Sequence, residues 1–353
     1  MKKRDKIQVA VRADGGPQIG MGHIMRCLAL AKAMEKIENL QIIFISVKNS
    51  AVSRLIAENS YKVIEIVENK PEKEIEEVND ILHKHDINIV ITDSYSFDRT
   101  YLERIGYAAD VVVSIDDLNR IVFPSDIVIN GNIYAPCLNY RPGRSDTEFL
   151  LGTDYVLLRE EFIQKGNRSI NNEVKHVLVS VGGSDPLNLT PKILQALDRL
   201  PFDFDVKVVI GPGFNNLHKI VESAGKIQKP VEVLHNVKTM VPLMMLCDLA
   251  VTGGGTTLYE LSCTGTPAVT LLQADNQEAA AAEMALQGAV INMGMGDEVS
   301  VPELASAIIQ LCADREKRTA MSKKGQILVD GYGCQRCALK ILQKFHTKKG
   351  VEF

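Results

Sequence analysis

Two doubly wound, parallel α/β domains facing a central cleft are the fold class that this sequence predicts. Three observations carry the prediction. Short β-branched runs alternate with longer stretches of helical periodicity along the chain, which is the pattern of strand–helix–strand units. Its 353 residues are long for one hydrophobic core and comfortable for two. Glycine-rich turns follow strands in both halves, at 15–22, 182–183 and 253–255, and open α/β sheets bind ligands beyond the carboxyl ends of their strands.

In the first half, strands are predicted at 6–13, 41–47, 63–67, 87–92, 111–115 and 127–130. Between the first two lies a helix over 22–36, where Ile24, Leu28, Ala31 and Met34 recur at helical spacing. Further helices are predicted at 53–59 and 72–85. The pattern loosens from 151 to 174 into a polar stretch, so residues 1–160 are read as one domain, 161–173 as a linker and 174–345 as the second domain. Strands of the second domain are predicted at 177–181, 205–210, 231–234, 249–252, 268–272 and 290–291. Its helices are predicted at 191–200, 215–223, 239–246, 257–264, 276–287, 301–313 and 315–328.

Composition narrows the function classes. A net charge of −4 tilts against nucleic acid as a partner, since phosphate binding usually leaves a strongly basic face. Seven cysteines, scattered and odd in number, suit a reducing compartment better than a disulfide framework. Cys334 and Cys337 form a C-x-x-C with no second pair to complete a zinc site. Asp203-Phe204-Asp205 has the spacing of a metal-holding D-x-D. It lies at a strand start, beside Phe202, away from any predicted ligand-facing end, so no metal and no cofactor is expected. The charged first residues precede a strand-sized apolar piece broken by Arg12 and Asp14. Neither a signal peptide nor a membrane-inserted segment is expected, and the protein is expected in the cytoplasm.

The most informative segment is the loop that ends Gly20-Met21-Gly22-His23. A strand ends near Ala13 and a helix begins near Gly22, so His23 stands in a first helical turn beside free backbone N–H groups. The partial positive charge there disfavours imidazolium, and a neutral imidazole is what a general base needs. A dinucleotide fingerprint is not completed, because Met25 and Arg26 follow in place of the third glycine and no ribose-binding acid ends the second strand. Asp93 ends an apolar strand; it orients His23, binds substrate or caps a helix. Arg12 and Asp14 flank the loop and either bind substrate or pair with each other. Asp116 and Asp117 read first as a cap or turn.

The second half carries Gly253-Gly254-Gly255-Thr256-Thr257-Leu258-Tyr259-Glu260, followed by Ala274-Asp275-Asn276-Gln277 after the next strand. Glycines there let backbone N–H groups approach a ligand, and the helix opened at Thr256–Thr257 favours anions at its start. A bland strand-to-helix turn also accounts for the glycine triplet taken alone. The loop Gly182-Gly183-Ser184 divides the same way between ligand contact and a strand-end turn.

The run from Arg12 through Ala31 closely resembles the start of the UDP-sugar hydrolases of pseudaminic acid synthesis, which convert UDP-2,4-diacetamido-2,4,6-trideoxy-β-L-altropyranose to UDP and the free sugar. Similar sequences are called spore coat polysaccharide proteins. The resemblance implies the two-domain GT-B fold of the peptidoglycan UDP-GlcNAc transferase. It further implies that His23 is the catalytic base; Arg12, Asp14, Gly20, Gly22 and Asp93, at the same loop and strand end, are then expected near the sugar. By the same resemblance, Glu260 holds the uridine ribose hydroxyls, and Tyr259, Asn276 and Gln277 face the sugar and diphosphate. Gly182, Gly183, Ser184, Gly254, Gly255, Thr256 and Thr257 would then line the UDP site, with uracil against 235–240. The substrate expected is a UDP-linked amino sugar. Two rivals remain: a glycosyltransferase using the same nucleotide site, and a non-catalytic UDP-sugar-binding regulator.

Overall fold

The computed structural model describes residues 6–16, 20–67, 70–211, 213–214, 217–235 and 237–351. The chain divides into two compact units, Met1–Glu160 with Tyr332–Phe353, and Glu161–Gly331.

In the first unit the strands are β1 (Ile7–Ala13), β2 (Leu40–Val47), β3 (Lys62–Ile66), β4 (Ile89–Asp93), β5 (Val111–Ile115), β6 (Ile127–Asn130) and β7 (Glu148–Leu151). They form one parallel sheet in the order β3-β2-β1-β4-β5-β6-β7. Strands buried on both faces read as continuous apolar runs, and helices must then cover both sides. On one face Val9 and Val11 pack with Ile24, Leu28 and Ala31 of helix α1 (Gly22–Glu35). On the other, Ala10 and Val90 join Ile75, Val78 and Leu82 of α3 (Pro71–Lys84), which follows α2 (Ser50–Glu58). Leu102 and Ile105 of α4 (Arg99–Gly106) complete that side.

The second unit holds β8 (His176–Ser180), β9 (Asp205–Ile210), β10 (Val231–His235), β11 (Leu249–Gly253), β12 (Ala268–Leu272) and β13 (Ile291–Met295). These are parallel too, in the order β10-β9-β8-β11-β12-β13. Its helices are α5 (Leu189–Asp198), α6 (Leu217–Lys226), α7 (Val241–Leu246), α8 (Thr257–Thr264), α9 (Glu278–Leu286), α10 (Val301–Ala313) and α11 (Arg315–Leu328). In each sheet the strand order reverses once, between β1 and β4 and between β8 and β11. Such switch points open a crevice at the strands' carboxyl ends.

The structure corrects the sequence reading in several places. β7 and α4 were not expected; α4 is started by Asp98, whose side chain accepts from the Tyr101 amide at 2.7 Å. The helix predicted over 276–287 begins as a 3-10 turn, Asp275–Gln277, before α9. That predicted over 215–223 is α6, and residues 215–216 lie outside the described ones. The stretch read as a linker is fastened to the second unit. Arg168 donates to the carbonyls of Met244, Met245 and Cys247 at the end of α7, and Arg318 donates to those of Asn171 and Asn172. Cations at helix carbonyl ends satisfy groups that the helix itself leaves open.

The largest difference is at the carboxyl end. Helix Gly333–Lys348, of which residues up to 345 were assigned to the second domain, belongs to the first unit. Cys337, Ile341, Leu342 and Phe345 share a core cluster with Cys27, Leu30 and Met34 of α1. Lys348 reaches the Asp110 carbonyl at 2.9 Å. Cys334 and Cys337 are buried as core side chains, and burial pushes both thiols up.

Candidate functional site

The two switch points collect most of the residues that the sequence singled out. At the first, β1 leads into a loop closed by reciprocal backbone hydrogen bonds between Gly16 and Gly20, at 3.0 and 2.7 Å. Gly20 has φ +77°, a left-handed conformation that glycine adopts without a Cβ penalty. Residues 17–19 of this loop lie outside the described ones. Gly22, exposed and with open space over its Cα, begins α1, and His23 follows in the first turn.

His23 is buried, and its Nδ1 lies 2.6 Å from Oδ1 of Asp93, the last residue of β4. Adjacent strand ends at a switch point thus bring together two residues 70 positions apart. The Asp93 side chain is fully shielded from solvent. It also accepts from Arg26 twice, Nε to Oδ2 and Nη2 to Oδ1, each at 2.6 Å. Burial alone would push the Asp93 carboxyl up; the Arg26 guanidinium and His23 overcome this and hold it well below the usual carboxylate range. An ionised carboxylate only accepts, so Nδ1 carries a proton and points it at Asp93. Arg26 Nη2 also approaches Nδ1 to 3.1 Å. As a donor it cannot share that protonated nitrogen, and Asp93 is its partner.

The network extends past the expected residues. Arg26 Nη1 donates to both oxygens of Asp117, at 2.9 and 3.0 Å. Asp117 further accepts from Asn132 Nδ2 at 2.8 Å and from the Tyr95 hydroxyl at 2.7 Å. Burial opposes ionisation of Asp117 as well, and Arg26 outweighs it, drawing the carboxyl down. The Tyr95 ring meets the His23 imidazole edge-on, 4.8 Å between centroids at 81°. The reading of Asp116 and Asp117 as a cap holds for Asp116, which accepts from the amides of Leu118 and Asn119. Asp117 instead joins the network around Arg26. Its placement at a strand end was the available signal; Arg26 offered only its spacing, one helical turn after His23.

Arg12 and Asp14 pair with each other at 2.7 Å. Arg12 also binds Glu74 at 2.8 Å and is 1% exposed, beneath the Phe97 ring at 5.0 Å. Asp14 accepts from the Val47 amide at 2.8 Å. Of the two readings the sequence left open for this pair, the structure shows the second. Arg12 points into the interior, and the two side chains tie the end of β1 to that of β2.

At the second switch point, three turns after β8, β11 and β12 converge. Gln273, which opens the run continuing through Ala274–Gln277 but had no role assigned to it, donates from Nε2 to the carbonyls of Val181 at 2.6 Å and Ser184 at 3.3 Å. Gln277, expected to face the ligand, accepts from the amides of Gly254 at 3.2 Å and Gln273 at 3.0 Å. Its carbonyl oxygen therefore braces the turn. Asn276 beside it is exposed. The glycines divide into two kinds. A Cβ on Gly253 would stand 2.5 Å from the Val181 carbonyl oxygen, and one on Gly254 would meet Leu272 at 2.6 Å, so these two serve close packing. Gly182 (φ +115°), Gly183 and Gly255 have no such obstruction, and the space beside their backbone is open. Ser184 is half-buried between them and Asp185, whose carboxylate caps α5 through the amides of Leu189 and Thr190 at 2.7 and 2.9 Å.

Thr256, exposed, starts α8 with no side-chain cap, and Thr257 and Glu260 are half-buried on its first turn. Tyr259 is buried. The segment 235–240 includes residue 236, outside the described ones. Among the described residues no group of three or more His, Cys, Asp or Glu is arranged to hold a metal ion, and no helix is long and apolar enough to cross a membrane. The packing of these turns gives a direct test. Gly253→Ala is expected to destabilise the second unit by about 1–3 kcal/mol, because backbone must move to admit the methyl group. An unchanged urea midpoint would contradict it.

Comparison with known proteins agrees with this architecture. Residues 176–331 match the glycosyltransferase family 28 C-terminal domain. The chain is 29% identical over 349 residues to the spore coat polysaccharide biosynthesis protein SpsG of Bacillus subtilis, covering 97% of this chain and 100% of that one. It is 25% identical over 288 residues to the UDP-2,4-diacetamido-2,4,6-trideoxy-beta-L-altropyranose hydrolase of Campylobacter jejuni, covering 80% and 97%. With the uncharacterized protein MJ1062 of Methanocaldococcus jannaschii identity is 33% over 289 residues, 77% of this chain but only 57% of that protein's length. Among solved structures, MurG of Acinetobacter baumannii superposes with a TM-score of 0.68 at 16% identity, over 96% of this chain and 99% of MurG. The S. aureus MnaA–UDP co-structure gives 0.64 at 14%, over 98% and 100%. The chain is therefore a homologue of the altropyranose hydrolases and of SpsG, with a MurG-like GT-B fold whose second unit matches the glycosyltransferase family 28 C-terminal domain.

Proposed function

We propose that this chain is a UDP-sugar-processing enzyme that hydrolyses a UDP-linked diacetamido-trideoxyhexose to UDP and the free amino sugar, a step of nonulosonic acid synthesis. The observation that carries the reading is the His23–Asp93 pair at the switch point of the first sheet. With Nδ1–H donated to Asp93, the Nε2 lone pair of His23 takes a proton from water. The water oxygen bonds to the anomeric carbon as the bond from that carbon to the phosphate oxygen breaks, with inversion. The electron pair leaves on UDP, and the proton on Nε2 passes to solvent.

The second unit has the nucleotide role. Open backbone at Gly182, Gly183 and Gly255, with the uncapped start of α8 at Thr256 and Thr257, supplies N–H donors for diphosphate charge that grows as the bond breaks. Glu260 accepts from the ribose hydroxyls in this reading, Ser184, Asn276, Gln277 and Tyr259 complete the surroundings, and Gly254 lets the turn pack closely. The name of the Campylobacter relative supports hydrolysis, and the UDP-bound structural neighbour supports the nucleotide.

Incubation with UDP-diacetamido-trideoxyhexoses and no acceptor tests it. UDP and reducing sugar are expected to appear in equal amounts. UDP release that depends on an added sugar or lipid acceptor would make the protein a transferase. A UDP-induced thermal shift with no release on prolonged incubation would make it a binding protein.

A further inference from the structure

The base reading uses His23 and Asp93 and leaves unexplained why so many groups converge on Arg26. We propose that Arg26 is a positioning residue for His23, fixing the plane of the Asp93 carboxylate through its guanidinium fork and locking that fork through Asp117. The inference rests on the reading of His23 as base.

A carboxylate torsion is soft and roughly two-fold, so Asp93 held only by His23 and by the weak Cys27 thiol contact at 3.5 Å would turn freely enough to lose its aim. Arg26 removes that freedom. Its Nε and Nη2 take the two oxygens of Asp93 in parallel, each at 2.6 Å. This is the planar, bidentate pairing that arginine forms and lysine cannot. The remaining arm, Nη1, grips both oxygens of Asp117. Asp117 is itself fixed by Asn132 and by the Tyr95 hydroxyl. The Tyr95 ring then rests on the imidazole. Contacts thus run from His23 to Asp93, Arg26, Asp117, Tyr95 and back to His23, a closed circuit drawn from α1 and from the segments ending β4 and β5. One guanidinium stands between two carboxylates in a buried setting, and removing it would leave the two negative charges facing each other without the cation between them. An arginine serving the fold alone would need neither the fork toward Asp93 nor the return to the imidazole.

Arg26→Lys keeps a positive charge and loses the fork; Arg26→Gln loses both; Asp117→Asn loosens the lock while keeping its size. Two quantities should be read on each: turnover with KM, and the downfield proton signal of His23 Nδ1–H hydrogen-bonded to Asp93. For Arg26→Lys, kcat is expected to fall on the order of tenfold to a hundredfold, as for a base displaced by a fraction of an ångström to an ångström. KM and UDP affinity should change little, and the Nδ1 proton signal should broaden or vanish. Asp117→Asn should show a smaller fall in the same direction. It carries the test if an Arg26 variant does not fold. A folded Arg26→Lys protein with kcat within about twofold of the parent and an unchanged Nδ1 signal would overturn the proposal. A fall in UDP affinity and thermal stability with kcat preserved would do so too, since that is the mark of a structural role. If the parent protein releases no UDP from any substrate, the hydrolase reading fails by itself, while the proton signal still decides whether Arg26 orients the imidazole.

Discussion

Replacing His23 by alanine is expected to lower UDP release from the sugar nucleotide by about a hundredfold to ten-thousandfold, the range associated with a positioned general base. UDP affinity should be kept, because the turns assigned to the nucleotide lie in the other unit, Glu161–Gly331. The fold should be kept as well. Asp93 loses one partner but retains both bonds from Arg26, so no buried carboxylate is left unpaired. The imidazole is buried, and its removal leaves a small cavity beside Tyr95. The cost is a modest fraction of total stability, well short of unfolding. Turnover near that of the parent in a folded His23→Ala protein would remove the assignment. Isothermal titration with UDP on the same sample would separate a chemical defect from a binding one.

Asp93→Asn should have an effect of similar size through a different cause. An asparagine amide presents an N–H donor as well as a carbonyl, and Arg26 demands the acceptor. With the carbonyl oxygen facing the guanidinium, the amide N–H faces Nδ1. Nδ1 must then accept, and the ring proton moves to Nε2, where a base is needed. The expected loss is on the order of a hundredfold to ten-thousandfold, the scale of a histidine held in the wrong tautomer. Stability should fall too, since the amide offers one oxygen acceptor where Arg26 aims two donors. A variant that turns over at the parental rate would show that Asp93 does not set the tautomer. Loss of turnover with the His23 ring proton still on Nδ1 would show the same.

How much of this was legible in the sequence depends on whether the signal was local. The strands at 111–115, 127–130, 205–210 and 268–272 were read to the residue, because a buried parallel strand is a continuous apolar run bounded by polar residues. His23 was legible for a local reason also: Gly20-Met21-Gly22-His23 announces a strand-to-helix turn with a titratable group in it. Asp93 was visible as a strand end, but its choice among three roles depended on β4 lying beside β1, a pairing that no local pattern states. Arg26 and Asp117 were hidden for that reason, as a helix arginine and a turn aspartate are ordinary until a fold joins them across 91 residues. The bracing contact of Gln277 was hidden because its target, the Gly254 amide, lies 23 residues upstream. The helix Gly333–Lys348 shows the same limit, since its packing on α1 is decided by the whole core and not by its own periodicity.

The central claim is that water is delivered to the anomeric carbon, leaving the phosphate intact. Turnover in water enriched in heavy oxygen, with the mass of the released UDP read at once, tests it most directly. Attack at carbon leaves the bridging oxygen on the nucleotide, so UDP of natural mass is expected, with the label entering only the sugar. UDP heavier by one oxygen label would mean that the phosphorus was attacked, and His23 would not be a base that directs water to the sugar carbon.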